Sequence, residues 1–227
     1  MSREKQRRGG TGKRWSFILI DDQDLAESTR YALSAATYHF DGMRFFMDRL
    51  RDMPYEGGKL SDEAQMDFNK LYHNLRGFFW ELCASFDTLL QEINRRFELG
   101  IQERDVDWST ASEALSQRPE HKKFLRKLSK GYNSRWFTEV REYRNFAHRG
   151  TIMVEGFAMG SESRPEEGPL FSGMMLRPIS GGRGAGEPIA LCRNYGKHVD
   201  ELVRWALHET DRIRPRDAQP RENVNGS

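Results

Sequence analysis

The strongest constraint on the fold comes from the stretch between Ser61 and Gly100, where large apolar residues recur at a helical period. Ser61 offers a side-chain N-cap at one end, and Gly100 ends the pattern at the other. A helix with one apolar side must bury that side against other helices, so the sequence predicts a helical bundle. The periodic residues are Phe68, Leu71, Tyr72, Leu75, Phe78, Phe79, Leu82, Phe86, Leu89, Leu90, Ile93 and Phe97.

Helical periodicity also appears in other parts of the chain. In the segment nearest the N-terminus, Tyr31, Tyr38 and Phe45 are among the aromatic residues that recur together with leucines. We predict that these aromatic residues belong to the apolar side of a helix. The predicted segments are a first helix from about Asp21 to Met53, a region at 109–130 in which Pro119 begins a second segment, a helix at about 133–149 that Gly150 ends, and a closing helix at about 195–213.

Between Gly150 and the closing helix the pattern changes to short β-compatible runs, which are separated by Gly, Pro, Ser and Glu. We interpret them as a small antiparallel ribbon inserted at about residues 151–194. The predicted fold class is all-α, an antiparallel bundle of four to five main helices with this insertion before the last helix, in one domain over residues 16–213. The β-compatible runs are Thr151–Val154, Gly173–Arg177 and Pro188–Cys192.

The formal charge of +2 is unevenly distributed along the chain. Residues 1–14 carry six basic residues against Glu4, and residues 212–227 carry four arginines against two carboxylates, which leaves about −5 for residues 15–211. The body is therefore not a generally basic nucleic-acid binder. Residues 1–15 and 214–227 are poor in apolar side chains, so we expect disordered tails that either add phosphate affinity or serve only as solubilising ends.

Composition also bounds the location and the cofactors of the protein. No apolar run approaches the roughly 18 residues that a membrane span needs, and the first residues lack the apolar centre of a secretion signal. Cys83 and Cys192 are too few and too isolated for a disulfide framework or a zinc site. We therefore expect a cytoplasmic protein with no membrane association and no metal or other cofactor.

The helix predicted at 133–149 carries the most informative polar set. Its apolar residues fall on one side of the helix: Trp136, Val140, Tyr143, Phe146 and Ala147. Two guanidiniums bind a phosphate by forked hydrogen bonds, and a histidine, whose ordinary pKa is about 6.5, exchanges a proton near neutral pH. The polar residues fall on the other side, within an arc of about 100°: Arg141, Arg144, Asn145 and His148.

The same pattern also fits an ordinary solvated helix face. Glu139 and Glu142 lie one to ten positions from the arginines at 141, 144 and 149, and in this interpretation they pair with these arginines in ordinary surface ion pairs. In that case the polar side would have no chemical role.

On the helix at 61–100, two carboxylates are further candidates. Asp87 and Glu81 are either surface or structural ion-pair residues, or partners that hold the motif arginines in place. The aromatic run Phe78, Phe79 and Trp80 is interpreted as packing residues.

Residues 86–94 and 136–150 resemble the HEPN superfamily, including its uncharacterised bacterial members. The resemblance covers roughly residues 20–150 and the closing helix. Its motif is an Arg-polar pair followed by a histidine at the end of a late helix, here Arg144-Asn145 and His148, with Arg141 as a second arginine at a compatible distance from His148. We favour Arg144 beside Asn145, with Arg141 as the supporting charge.

The resemblance implies a metal-independent endoribonuclease that serves as a toxin or as an effector of phage defence. His148 would move protons, Arg144 with Arg141 or Arg149 would hold the scissile phosphate, and Asn145 would orient His148 or the substrate. It also implies a homodimer in which the motif helices of two subunits meet, with RNA as the substrate and an antitoxin or other regulatory protein as a further partner. Inactive family members leave a second hypothesis open, a non-catalytic dimeric module that binds RNA or a protein.

Overall fold

The structure is a computed structural model that describes residues 25–51, 53, 55–56, 59–150, 152, 154–160, 169–176 and 186–213. These residues are mostly helical, which confirms the all-α fold class. The tails predicted at 1–15 and 214–227 lie outside the described residues. The helices are α1 (Leu25–Leu50), α2 (Asp62–Arg96), α3 (Trp108–Ser116), α4 (Lys122–Tyr132), α5 (Arg135–Arg149) and α6 (Pro188–Ile213).

The long helix α2 forms where the apolar period predicts it. The Ser61 hydroxyl accepts a hydrogen bond from the backbone N–H of Ala64 at 3.2 Å, so the predicted N-cap is confirmed. The helix ends at Arg96, and Gly100 follows with a φ of +77°, a left-handed conformation that glycine adopts without strain.

Helix α1 runs antiparallel along α2. Residues near the start of α1 contact residues near the end of α2, and the order reverses toward the other end. The contacts are Thr29 with Thr88 at 3.1 Å, His39 with Asn74 at 3.1 Å, and the Arg49 Nε donating to Asp67 at 2.5 Å.

The apolar and aromatic residues of α1 lie on two different sides of that helix. The buried side carries Ala36, Met43 and Leu50. The prediction that Tyr31, Tyr38 and Phe45 belong to the same apolar period is wrong, because each lies five positions before one of those residues and therefore about 140° around the helix. These three aromatic side chains are 77%, 74% and 57% exposed.

Helices α5 and α6 complete the core against α2. Phe79 of α2 is fully buried, and its ring stacks on Tyr143 of α5 with 4.7 Å between the centroids. Tyr195 of α6 lies 6.1 Å from the same ring. This shared contact fixes the position of α5 relative to α2. No helix among the described residues is long and apolar enough to cross a membrane.

Two short helices between α2 and α5 form one wall of the site described below. Asp107 caps α3 by accepting the backbone N–H of Thr110 at 2.8 Å. Pro119 begins a 3-10 turn that leads into α4, as the sequence predicts. Trp108 at the start of α3 stacks on Tyr132 at the end of α4, with 4.3 Å between the ring centroids. We call this pair the aromatic wall.

Among the residues that the structure describes, the strands form two antiparallel pairs. A short pair, β1 (Tyr55–Glu56) and β2 (Lys59–Leu60), lies between α1 and α2. A longer pair, β3 (Val154–Gly160) and β4 (Pro169–Leu176), follows α5 and has an irregularity in register between Phe157 and Ala158.

The strand predicted at Pro188–Cys192 is wrong, since these residues form the first turns of α6. The insertion predicted to reach residue 194 therefore ends before Pro188. The Glu187 carboxylate accepts the backbone N–H groups of Ile189 and Ala190 at 2.9 and 2.6 Å, which satisfies donors at the start of the helix. Pro188 has no backbone N–H, and the first turn of a helix does not need one. Glu187 and Pro188 together therefore favour the start of a helix over a strand.

Candidate functional site

Helix α5 divides into a buried side and a polar side. Arg141 and Arg144 are half-buried, whereas Asn145, His148 and Arg149 are exposed. Phe146, predicted on the buried side, is 43% exposed, because it lies at the edge of the buried arc. The side chains buried in the core are Phe137, Val140, Tyr143 and Ala147.

Arg141 and Arg144 both line a pocket of about 180 Å³ between α2, α5 and the aromatic wall. The Arg141 guanidinium lies 4.0 Å from the centre of the Tyr132 ring, and its Nη2 donates to the Thr138 hydroxyl at 3.4 Å. This stacked position is a cation–π contact, which holds the guanidinium against the wall. Two guanidiniums beside aromatic rings suit an anionic group that is attached to a flat ring.

Trp80 of α2 connects Arg144 with His148. Its indole is 40% exposed, and the Arg144 Cζ lies 5.7 Å from the ring centre. The His148 imidazole meets the same indole edge-on, with 5.7 Å between centroids and an interplanar angle of 76°. One aromatic side chain therefore brings the favoured arginine and the histidine together. The interpretation of Trp80 as a packing residue is wrong, because the side chain belongs to this exposed face.

The Nε atoms of Arg141 and Arg144 are both buried without a hydrogen-bond partner among the described residues. A buried donor that lacks an acceptor costs about 1–3 kcal/mol, and native proteins have few such groups. Phosphate oxygens entering the pocket would accept from these donors, and charge-assisted hydrogen bonds of that kind are the stronger ones.

The pocket also contains two α2 side chains whose ionisation is shifted. Burial raises the pKa of the Asp87 carboxyl, while the nearby Arg144 charge lowers it. Burial also raises the pKa of the Cys83 thiol to about 11, although Arg144 acts against that shift. The positive charge of Arg144 therefore acts on both groups and favours the ionised form of each.

The Cys83 thiol is expected to resist alkylation in the folded protein. The thiolate is the reactive form, and with a pKa near 11 it is scarce at pH 8. Burial also raises the pKa of Cys192, the other free cysteine, well above its ordinary value. Iodoacetamide at pH 8 should leave both unmodified in native protein and modify both in urea, as intact mass would show. Rapid labelling of Cys83 in folded protein would contradict this description of the pocket.

Two residues of α2 hold the C-terminal end of α5, which carries His148. The Arg76 Nη2 donates to the Ala147 carbonyl at 2.6 Å. The Tyr72 hydroxyl accepts the backbone N–H of Ile152 at 2.8 Å, just beyond the helix. A cation at this end also offsets the partial negative charge of the helix terminus. Arg76 was not a candidate from the sequence, since a lone arginine between apolar positions gives no signal of its partner.

On a merely solvated face, Glu139 would pair with the motif arginines, but it has other partners. Glu139 binds Arg135 at 2.8 Å and accepts the Tyr195 hydroxyl at 2.8 Å. It therefore pairs with residues outside the motif, and Arg141 contacts Tyr132 and Thr138.

The chain matches no protein-family model, no curated protein and no solved structure. Within the described ranges, no group of three or more His, Cys, Asp or Glu side chains is placed to hold a metal ion.

Proposed function

We propose that the protein is a metal-independent endoribonuclease of the HEPN type, with its site on the polar side of α5. The observation that carries the proposal is the shared contact of Arg144 and His148 with Trp80. A phosphate-binding cation and a proton-transferring imidazole on one exposed aromatic surface are the groups that RNA cleavage through the ribose 2′-hydroxyl requires.

In this reaction His148 takes the proton of a ribose 2′-hydroxyl, whose oxygen then attacks the adjacent phosphorus. The bond from phosphorus to the 5′-oxygen of the next nucleotide breaks, and that oxygen receives the proton that the His148 imidazolium releases, directly or through water. The products are a 2′,3′-cyclic phosphate and a 5′-hydroxyl. Arg144 offsets the negative charge that grows on the phosphate oxygens in the transition state.

The remaining motif residues take supporting roles that follow from their positions. Arg141, held on the aromatic wall, would bind a neighbouring part of the nucleotide inside the pocket. Arg149 is exposed next to His148 and would add charge along the RNA backbone. Asn145 is exposed, follows Arg144 directly in the sequence, and would orient the substrate or His148. Trp80 would stack on a base, since aromatic side chains bind unpaired bases in this way.

The proposal includes a homodimer, which the resemblance implies, in which the motif helices of two subunits would meet. The exposed positions of Asn145, His148 and Arg149 leave them available to such a contact, which would give one cleft with two copies of the set. A role as a toxin or phage-defence effector, restrained by an antitoxin or another regulatory protein, belongs to the same proposal.

A non-catalytic module that binds RNA or a protein partner is the second candidate. The position of Arg141 favours it, because this guanidinium is stacked on Tyr132 inside the pocket. His148 lies two helical turns away and is exposed. Of the two motif arginines, Arg144 is the one in contact with the Trp80 ring that His148 also meets.

Labelled single-stranded RNA and an all-deoxy copy of the same sequence, both incubated with the protein in EDTA, separate the candidates. The endoribonuclease should cut the RNA and leave the deoxy copy intact, because DNA lacks the internal nucleophile. Binding of the RNA without any cleavage would favour the second candidate.

A further inference from the structure

Helix α1 carries a line of exposed aromatic residues on the side that faces away from the core. Tyr31, Tyr38 and Phe45 are seven residues apart, and all are more than half exposed. A seven-residue repeat keeps side chains on nearly one line along a helix, here over about 21 Å. Large exposed apolar groups in such a line are typical of a helix–helix contact. We call these three residues the aromatic stripe.

We propose that the aromatic stripe binds the aromatic stripe of a second copy of this chain, with the two α1 helices antiparallel and Tyr38 at the two-fold axis. Tyr31 and Phe45 are equally far from Tyr38 along the sequence. An antiparallel pair centred on Tyr38 therefore places Tyr31 of each copy against Phe45 of the other. Such a contact is isologous, which is the usual symmetry of a homodimer.

The charges at the two ends of α1 favour this arrangement. Glu27 and Arg30 lie at the N-terminal end, Asp48 and Arg51 lie at the C-terminal end, and all four are exposed. Antiparallel pairing centred on Tyr38 brings Arg30 within two residues of Asp48 and Glu27 within two residues of Arg51 of the second copy. A parallel pair would instead bring each charge near its own counterpart, which is repulsive. Within one copy, the ion pair between Asp48 and Arg51 is long, at 3.6 Å, and both side chains are exposed. Such a surface ion pair is weak, so either residue can exchange its partner for one in the second copy.

The aromatic stripe is on α1, whereas the candidate ribonuclease face is on α2 and α5. The inference does not rest on the proposed function, and association through α1 would leave Arg144 and His148 unaltered. Loss of the dimer with cleavage retained and loss of cleavage with the dimer retained are therefore separate results.

Disulfide cross-linking tests the contact at its centre. With helix axes about 8–10 Å apart, facing Cα atoms are about 4–5 Å apart, close to the range that a disulfide spans. Tyr38→Cys should cross-link to itself under mild oxidation, while the buried Cys83 and Cys192 stay silent. Glu113→Cys, exposed on α3, is the matched control and should not cross-link at the same concentration.

The direction of the helices is tested with two further variants. Tyr31→Cys mixed with Phe45→Cys should give a cross-linked heterodimer, whereas Tyr31→Cys alone should give little. Efficient cross-linking of Tyr31→Cys to itself would overturn the antiparallel arrangement.

Sedimentation of the full chain at micromolar concentration provides the second measurement. Unsubstituted protein should sediment as a dimer, or as a tetramer if the motif helices also pair, and Tyr38→Arg should weaken the α1 association at least tenfold, because two cations then meet at the axis. Tyr38→Phe should keep the dimer. A monomeric full chain would overturn the proposal, and dimerisation only after removal of residues 1–24 would show that this segment covers the stripe instead. An unchanged dimer in Tyr38→Arg would place the contact on another face.

Discussion

Replacement of His148 by alanine is expected to slow RNA cleavage by about 10²- to 10⁴-fold, the range that general acid–base catalysis contributes. The imidazole is exposed and meets Trp80 only at its edge, so its removal should leave the fold and the pocket arginines in place. RNA affinity should change by less than about threefold, because Arg144 and Arg141 provide the phosphate contacts. Single-turnover cleavage rates and filter binding on the same protein preparation measure the two quantities.

The matched control for this variant is His208→Ala. His208 is an exposed histidine on α6, remote in sequence from the motif, and its side chain is 76% exposed. Its replacement should leave both the cleavage rate and the affinity unchanged. A wild-type cleavage rate in His148→Ala would remove this residue from the mechanism, even if the protein cleaves RNA.

Replacement of Phe79 by alanine is expected to lower the free energy of unfolding by about 3–5 kcal/mol. The ring is fully buried, stacks on Tyr143 of α5 and lies near Tyr195 of α6, so its loss opens a cavity where three helices meet. Urea unfolding followed by far-ultraviolet circular dichroism gives the value, provided that the transition is two-state.

Phe146→Ala is the control for the core prediction. This side chain is 43% exposed on the same helix that Phe79 supports, so its truncation should cost no more than about 1 kcal/mol. Equal losses for the two variants would contradict the assignment of the core to the junction of α2, α5 and α6.

The helices that bury a continuous apolar face were predictable from the sequence. In α2 the apolar period and the Ser61 cap agree, and both ends lie close to the expected positions. The helical structure of residues 188–192 was not predictable, because short apolar runs fit a strand and a helix equally well. Only the Glu187 cap and the continuation of the apolar residues at Cys192, Tyr195 and Val199 identify that run as a helix.

Periodicity also failed to separate the two sides of α1. Aromatic residues at a seven-residue spacing contribute to a helical pattern whether they face the core or solvent. The burial of Ala36, Met43 and Leu50 identifies the core side, and small residues such as Ala36 carry little weight in an apolar pattern.

The candidate site was predictable only as far as one helix extends. Helical spacing brings Arg141, Arg144 and His148 to one side of α5, and the structure places them there. Their partners come from other helices, so no spacing in the sequence relates Trp80 or Tyr132 to them. These contacts show a division that the motif does not, with Arg141 in the pocket and His148 outside it.

The chemical ends of RNA fragments produced in EDTA test the proposed function most directly. Mass spectrometry of a short single-stranded RNA after incubation with the unsubstituted protein should find fragments that end in a 2′,3′-cyclic phosphate, and their downstream partners should begin with a 5′-hydroxyl. Those ends require attack by the neighbouring 2′-oxygen, which is the step assigned to His148. Fragments with 3′-hydroxyl and 5′-phosphate ends, or RNA that is bound and remains intact, would contradict the proposal.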